Sequence, residues 1–276
     1  MPRLDQELLR RDLARSRTHA AALIAEGRVV LSGGTASKAA VRVGPDDEIT
    51  VSTSGAEYVS RAGYKLEGAL EAFDALRVAG RRCLDAGAST GGFTDVLLRR
   101  GASSVVAVDV GHDQLAAGLR EDPRVQVYEG FNVRNLQPSD IGGTVALCVA
   151  DLSFISLTLV MEALARSTEP GGDLVLMVKP QFEVGRARLS NTGVVTSDAE
   201  RLRAVGIVLD SALNQGLGIV NLVPSTLSGQ DGNLEFFLWT KVPNEESVPR
   251  IETEQNKTVA EWLDALAQKM AKGRWE

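Results

Sequence analysis

The stretch "CLDAGASTGGF", residues 83–93, decides the fold. An apolar run around Cys83 and Leu84 reads as a buried strand. Glycines at 87, 91 and 92 follow, and a helical stretch over 92–100 begins. A strand that breaks into glycines and re-enters as a helix is the first turn of a βα unit. The glycines let the backbone turn sharply and approach a ligand, with helix N–H groups directed at it. A dinucleotide fingerprint would need a third glycine at position 89, where Ser89 stands. The spacing is instead D-x-G-x-x-x-G, through Asp85, Gly87 and Gly91. That form suits an adenosyl ligand without a pyrophosphate, such as S-adenosylmethionine.

Strands and helices alternate outward from this loop. A helix is expected over about 64–76, before the loop, and strands at "CLDAG", "SVVAVDV", "VQVYEG", "TVALCVAD", "DLVLMVK", "GIVNLVPS" and "EFFLWTKV". Further helices are expected at 156–166 and near 198–215, with an amphipathic tail helix at 255–272 around Trp262, Leu263 and Leu266. This order predicts a Rossmann-like, doubly wound, mostly parallel α/β sheet of seven strands, one of the last two running antiparallel. Ahead of it, "LDQELLRRDLA" and "RTHAAALIAEG" read as two short helices, and "VVLSGG" and "EITV" as strands of a small α+β domain. Leu4, Leu8, Leu9 and Leu13 would share one face of the first helix, Ala20, Leu23 and Ile24 would face inward from the second, and Ser16 would cap it. The expected division is 1–51, a linker at 52–63, and 64–276.

Ligands of such a sheet collect beyond the carboxyl ends of its strands. Asp109 ends the second strand, 22 residues after Gly87, where an acid can grip both ribose hydroxyls. Asn132, after the third, is a candidate for the adenine edge. The cofactor set is thus Asp85, Gly87, Ser89, Thr90, Gly91, Gly92, Phe93, Asp109, Asn132 and Asp151. Three charged residues belong on that rim: Asp85 after the first strand, and Asp151 and Lys179, on which the apolar runs "TVALCVAD" and "DLVLMVK" end. A lysine that takes a proton from an alcohol must be neutral, which burial or a second nearby cation favours. Lys65 and Glu235, in "YVSRAGYKL" and "GNLEFF", are candidates to complete the group.

The set Lys65, Asp151, Lys179 and Glu235 resembles the K-D-K-E tetrad of FtsJ-like ribose 2'-O-methyltransferases. The wording "YVSRAGYKL", "DLSFISL", "KPQFEVGR" and "GNLEFF" resembles the TlyA family still more closely. Residues 3–33, "RLDQELLRRDLARSRTHAAALIAEGRVVLSG", are similar to the small RNA-binding module named after ribosomal protein S-four. The turn "LSG" (Leu31, Ser32, Gly33) and the loop "PSTLSGQDGN" depart from the family pattern without touching a tetrad position. The resemblance implies methylation of cytidine 2'-hydroxyls in small- and large-subunit ribosomal RNA, with S-adenosylmethionine as donor. It makes Lys179 the base or a group next to it, Asp151 and Lys65 its tuning groups, and Glu235 the group that positions Lys65 or the ribose. It also matches Arg3, Ser16 and Arg17 to the module's RNA face.

Charge agrees with a nucleic-acid partner at one end only. The chain carries a net −6, yet residues 1–42 hold eight Lys/Arg against four Asp/Glu. Arg3, Arg10, Arg11, Arg15, Arg17, Arg28 and Lys38 are available to phosphates, those on helices as a stripe. Cys83 and Cys148 sit inside apolar runs and read as reduced core thiols, not as a disulfide or the nucleophile of a cytosine-C5 methyltransferase. "DLSF" stands where an amine methyltransferase would carry its Asn/Asp-Pro-Pro-aromatic loop, which favours ribose oxygen over base. No export signal, membrane-length apolar segment or metal-ligand cluster is seen, so the expectation is a cytoplasmic, metal-free enzyme and not a pore-forming protein.

Overall fold

The computed structural model describes residues 2–14, 16–25, 29–32, 34–36, 38–44, 47–51, 58–185, 189, 193–229, 231–244 and 257–271. They fall into two compact units, Met1–Glu57 and Tyr58–Glu276.

The first unit has helices α1 (Leu4–Arg10) and α2 (Arg17–Ala25) and strands β1 (Val29–Leu31), β2 (Gly34–Thr35) and β3 (Ile49–Val51). The strands form an antiparallel sheet in the order β2-β1-β3. Leu4, Leu8, Ala20, Leu23, Ile24, Val29 and Val43 fill its core. Leu9 does not join them and is exposed. A helix of two turns presents one narrow stripe, and Leu4 and Leu8, four residues apart, occupy it. Ser16 Oγ accepts from the His19 backbone N–H at 3.1 Å, which caps α2.

The second unit runs α3 (Arg61–Ala72), β4 (Arg82–Ala86), α4 (Gly92–Arg99), β5 (Ser104–Val108), α5 (Ala117–Arg120), β6 (Val125–Tyr128), β7 (Val145–Ala150), α6 (Met161–Ser167), β8 (Thr168–Val178), α7 (Pro180–Glu183), α8 (Asp198–Asn214), β9 (Gly218–Pro224), β10 (Phe236–Lys241) and α9 (Val259–Ala271). Helix α3 starts three residues before the expected boundary, so residues 61–63 are helical and not linker. The seven strands lie in the order β6-β5-β4-β7-β8-β10-β9. Only β10 runs antiparallel to its neighbours, inserted between β8 and β9. Alternate residues face opposite layers. Leu84, Ala86, Cys148, Leu174 and Leu176 pack under α6, α8 and α9, while Cys83, Leu147, Val149, Val175 and Met177 pack under α3 and α4. Both faces are covered, which is why the central strands read as unbroken apolar runs.

Candidate active site

The antiparallel insertion of β10 brings its first residues to the carboxyl edge of the parallel strands. Phe236 pairs with Val178, so the next residues outward, Glu235 and Lys179, reach the same rim. Lys65 comes to that rim from α3 and Asp151 from the end of β7. Lys65 Nζ donates to Glu235 Oε2 at 2.6 Å, and both residues are buried. Lys179 Nζ lies 2.6 Å from Asp151 Oδ1 and donates to Ser153 Oγ at 2.9 Å. The four residues therefore stand as two ion pairs. The second cation expected to crowd Lys179 has a carboxylate of its own, because an unpaired buried ammonium would cost several kcal/mol. Lys65, Lys179 and Glu235 line a cleft of about 670 Å³.

Next to it is a cavity of about 470 Å³, lined by Gly87, Ser89, Asp109, Phe131, Asn132 and Asp151. A smaller hollow of about 150 Å³, lined by Ser60, Thr90, Gly92, Phe93, Asp151 and Lys179, touches residues of both. Gly87 has φ +86°, and a Cβ there would stand 2.6 Å from the Asp151 carbonyl oxygen. The loop is thus closed against β7 by the lack of a side chain. Asp109 accepts from the backbone N–H of Ser89 at 2.8 Å and of Gly111 at 2.7 Å. Each of its oxygens retains acceptor capacity for a hydroxyl. Asn132 Oδ1 accepts from the Arg134 N–H at 3.0 Å, so it caps a 3-10 turn as well as lining the cavity.

Two expected contact residues serve differently. Asp85 is fully buried, accepts from Thr94 Oγ1 at 2.6 Å, and lines none of these three cavities. It follows Cys83 on the α4 face of β4, because Leu84 and Ala86 take the opposite face. Burial pushes its carboxyl up to about 7, with the charges of Asp151 and Asp109 adding to the effect. Gly91 (φ +95°) likewise faces Leu115 and Leu119, and a Cβ there would collide with Leu119 Cδ1. Both shape the loop from behind. Among the described residues no three His, Cys, Asp or Glu side chains gather as a metal-binding group.

Sequence reasoning missed the wall of the large cleft. Phe154 is 92% exposed at φ +64°, and its ring centroid lies 5.3 Å from that of Phe182. Glu183 is buried and accepts from Ser156 Oγ at 2.5 Å and the Leu157 N–H at 2.9 Å. Burial raises its carboxyl pKa. The segment 151–157 is therefore fastened to 179–183 at three points: through Lys179, through the two rings and through Glu183. One signal was available. "DLSF" and "KPQF" each place an aromatic ring three residues after the rim charge.

In the first unit Arg3, Arg10, Arg11 and Arg17 are already paired. Asp5 takes Arg3 and Arg17, each at 3.0 Å, and Glu7 takes Arg10 and, at 2.7 Å, Arg11. Arg11 also donates to the Asp47 carbonyl at 2.9 Å. Lys38 is exposed. Arg15, Arg28 and the linker residues 52–57 lie outside the described residues.

Residues 58–242 match the FtsJ-like methyltransferase family, and residues 2–49 match the S4 domain. Over 247 residues, 89% of this chain and 92% of the relative, the sequence is 52% identical to the 16S/23S rRNA (cytidine-2'-O)-methyltransferase TlyA of Mycobacterium tuberculosis. It is 32% identical over 183 residues, 66% of this chain and 70% of the relative, to the 23S rRNA (cytidine-2'-O)-methyltransferase TlyA of Campylobacter jejuni. A solved structure bearing a hemolysin name, from Streptococcus thermophilus, is 34% identical with a TM-score of 0.72, covering 100% of this chain and 98% of that one. With an S4 domain ahead of a methyltransferase sheet and a relative this similar along nearly its whole length, the chain belongs to the TlyA family of FtsJ-like methyltransferases.

Proposed function

We propose that this chain methylates the ribose 2'-hydroxyl of cytidine in ribosomal RNA of the small subunit, the large subunit or both, using S-adenosylmethionine. The observation that carries the reading is the pair of buried lysine–carboxylate contacts on the rim shared by an acceptor-sized cleft and the glycine-loop cavity. The mycobacterial relative's name supplies the nucleotide and the atom. S-adenosylmethionine supplies an electrophilic methyl group on a sulfonium when bound. The residues present fit it: Gly87 lets the loop close against the Asp151 backbone at the cavity's edge, Asp109 offers acceptors to a ribose, and Phe131 and Asn132 line the cavity.

Lys179 receives the hydroxyl proton. As the ammonium of its ion pair it has no lone pair, so it first releases a proton to solvent in the cleft, and the neutral amine then has two N–H bonds and one lone pair. Ser153 Oγ takes one N–H bond and Asp151 Oδ1 stands 2.6 Å from Nζ, so the lone pair remains for the acceptor hydroxyl. Lys65, held by Glu235, presents a second positive group to the same cleft and steadies negative charge as the hydroxyl loses its proton. The first unit holds rRNA or a ribosomal subunit through phosphate contacts, and the chain acts in the cytoplasm. No helix among the described residues is long and apolar enough to cross a membrane.

Tritiated methyl transfer to ribosomal subunits and to bare rRNA tests the reading, with product mapped by resistance to alkaline cleavage. Lys179→Ala is expected to abolish transfer while S-adenosylmethionine affinity stays within about three-fold. Unchanged turnover in that variant, or label on a base, overturns the proposal.

A further inference from the structure

Arg3 and Arg17 approach Asp5 from different helices. Arg3 precedes α1, and Arg17 opens α2, 12 positions from Asp5 in the chain. Arg3 Nε donates to Asp5 Oδ1 at 3.0 Å and Arg17 donates to Oδ2 at 3.0 Å. One carboxylate thus holds two guanidinium groups side by side through its two oxygens. Asp5 is itself buried, while the arginine side chains are 40% and 58% exposed. The hydrogen bond from Arg3, followed by that from Arg17, keeps the Asp5 carboxyl below its ordinary range against the opposing effect of burial. Glu7 repeats the motif with Arg10 and Arg11, but Arg11 is also tied to the Gly44 and Asp47 carbonyls, so it belongs to the fold.

A guanidinium already held in place has lost its rotamer freedom on folding and loses little more on meeting an anion. A backbone phosphate has two non-bridging oxygens, one for each fork. We propose that Asp5 is a positioning residue of the RNA face, presenting Arg3 and Arg17 together to one backbone phosphate. This rests on the reading that the first unit binds rRNA. Simple charge counting predicts the opposite sign for Asp5, since a carboxylate on a phosphate-binding face repels its ligand.

The test is titration of the full chain with an rRNA fragment over a range of salt. The proteins compared are the unmodified chain, Asp5→Asn, Arg3→Ala/Arg17→Ala, and the triple variant. Asp5→Asn is expected to weaken binding about five-fold or more near 0.15 M salt. In the background lacking both arginines the same change should cause no further weakening. Tighter or equal binding by Asp5→Asn overturns the proposal. So does an equal loss in the arginine-free background, which would place the effect in the fold of the unit. A flat salt response of the unmodified chain, or full affinity in Arg3→Ala/Arg17→Ala, overturns the RNA-face reading and this proposal with it.

Discussion

Lys65 and Glu235 are 170 positions apart in the chain, and their charged atoms are 2.6 Å apart. Both are buried, so neither tolerates the loss of the other. Breaking a buried ion pair by removing one partner costs about 3–5 kcal/mol, whereas replacing both by apolar groups is often neutral. Glu235→Ala is expected to lower the unfolding free energy by about 3 kcal/mol and to abolish methyl transfer. Lys65→Met combined with Glu235→Leu should recover most of the stability and none of the activity. Urea unfolding beside a methyl-transfer assay separates the two roles. Full turnover in the double variant would remove the pair from the chemistry.

Asp85 makes stability depend on pH. Its carboxyl holds its proton up to about 7 in the fold, against 3.8 for an ordinary aspartate. Below the lower value both folded and unfolded chains are protonated. Between the two, unfolding releases a proton, so this group's contribution to stability falls as pH rises through the window and is lost above about 7. The loss is on the order of 4 kcal/mol. Asp85→Asn removes the titration and keeps an acceptor for Thr94. The difference in unfolding free energy between variant and parent should move in the variant's favour from pH 4.5 to 7.5. Parallel pH profiles would mean that Asp85 stays ionised throughout.

Much of this site is legible in the sequence for a simple reason. A parallel strand covered on both faces admits a charge only at its end, so "TVALCVAD" and "DLVLMVK" put Asp151 and Lys179 on the rim. Alternation along the strand also bears on Asp85, which the sequence reading places with the cofactor contacts. Leu84 and Ala86 take one face of β4, which sends Asp85 with Cys83 to the other, beneath α4. The match of Lys65 to Glu235 has no such local cause, since it depends on β10 slipping between β8 and β9. Charge counting also misjudged Asp5 and Glu7. They enter it as losses to a basic face, yet each holds two arginines. Phe154 left little trace, because a single exposed ring in a left-handed turn belongs to no periodic pattern.

Gly87 should be irreplaceable in the cofactor loop. Alanine would bring φ strain at +86° and a Cβ 2.6 Å from the Asp151 carbonyl oxygen, a backbone atom that cannot rotate away. Gly87→Ala is expected to weaken S-adenosylmethionine binding more than about ten-fold by calorimetry. Gly80→Ala is the control. Gly80 has φ +76° with open space around the added Cβ, so only the conformational cost of about 1 kcal/mol should appear, with cofactor affinity unchanged. Equal affinities for the two variants would show that the glycine loop does not close on the donor.

Phe154 contributes little to the fold and is placed to meet an acceptor. Its ring is 92% exposed on the wall of the cleft that holds Lys65 and Lys179, beside Phe182. Its backbone sits at φ +64°, a conformation of order 1 kcal/mol above ordinary ones for a residue with a side chain. The surrounding contacts sustain it: Lys179 on Asp151 and Ser153, and Glu183 on Ser156 and Leu157. An aromatic ring held open to solvent is a platform for an unstacked base, with about 1–3 kcal/mol gained per stacked base. Phe154→Ala is therefore expected to leave thermal stability and S-adenosylmethionine affinity unchanged and to raise the KM for rRNA about ten-fold. Phe154→Tyr, which keeps the ring face, should restore it. Glu183→Gln, which loosens the same segment from below, should raise the acceptor KM in the same direction by a smaller factor. An unaltered acceptor KM in Phe154→Ala would mean that the base lies elsewhere in the cleft and that the ring has another use.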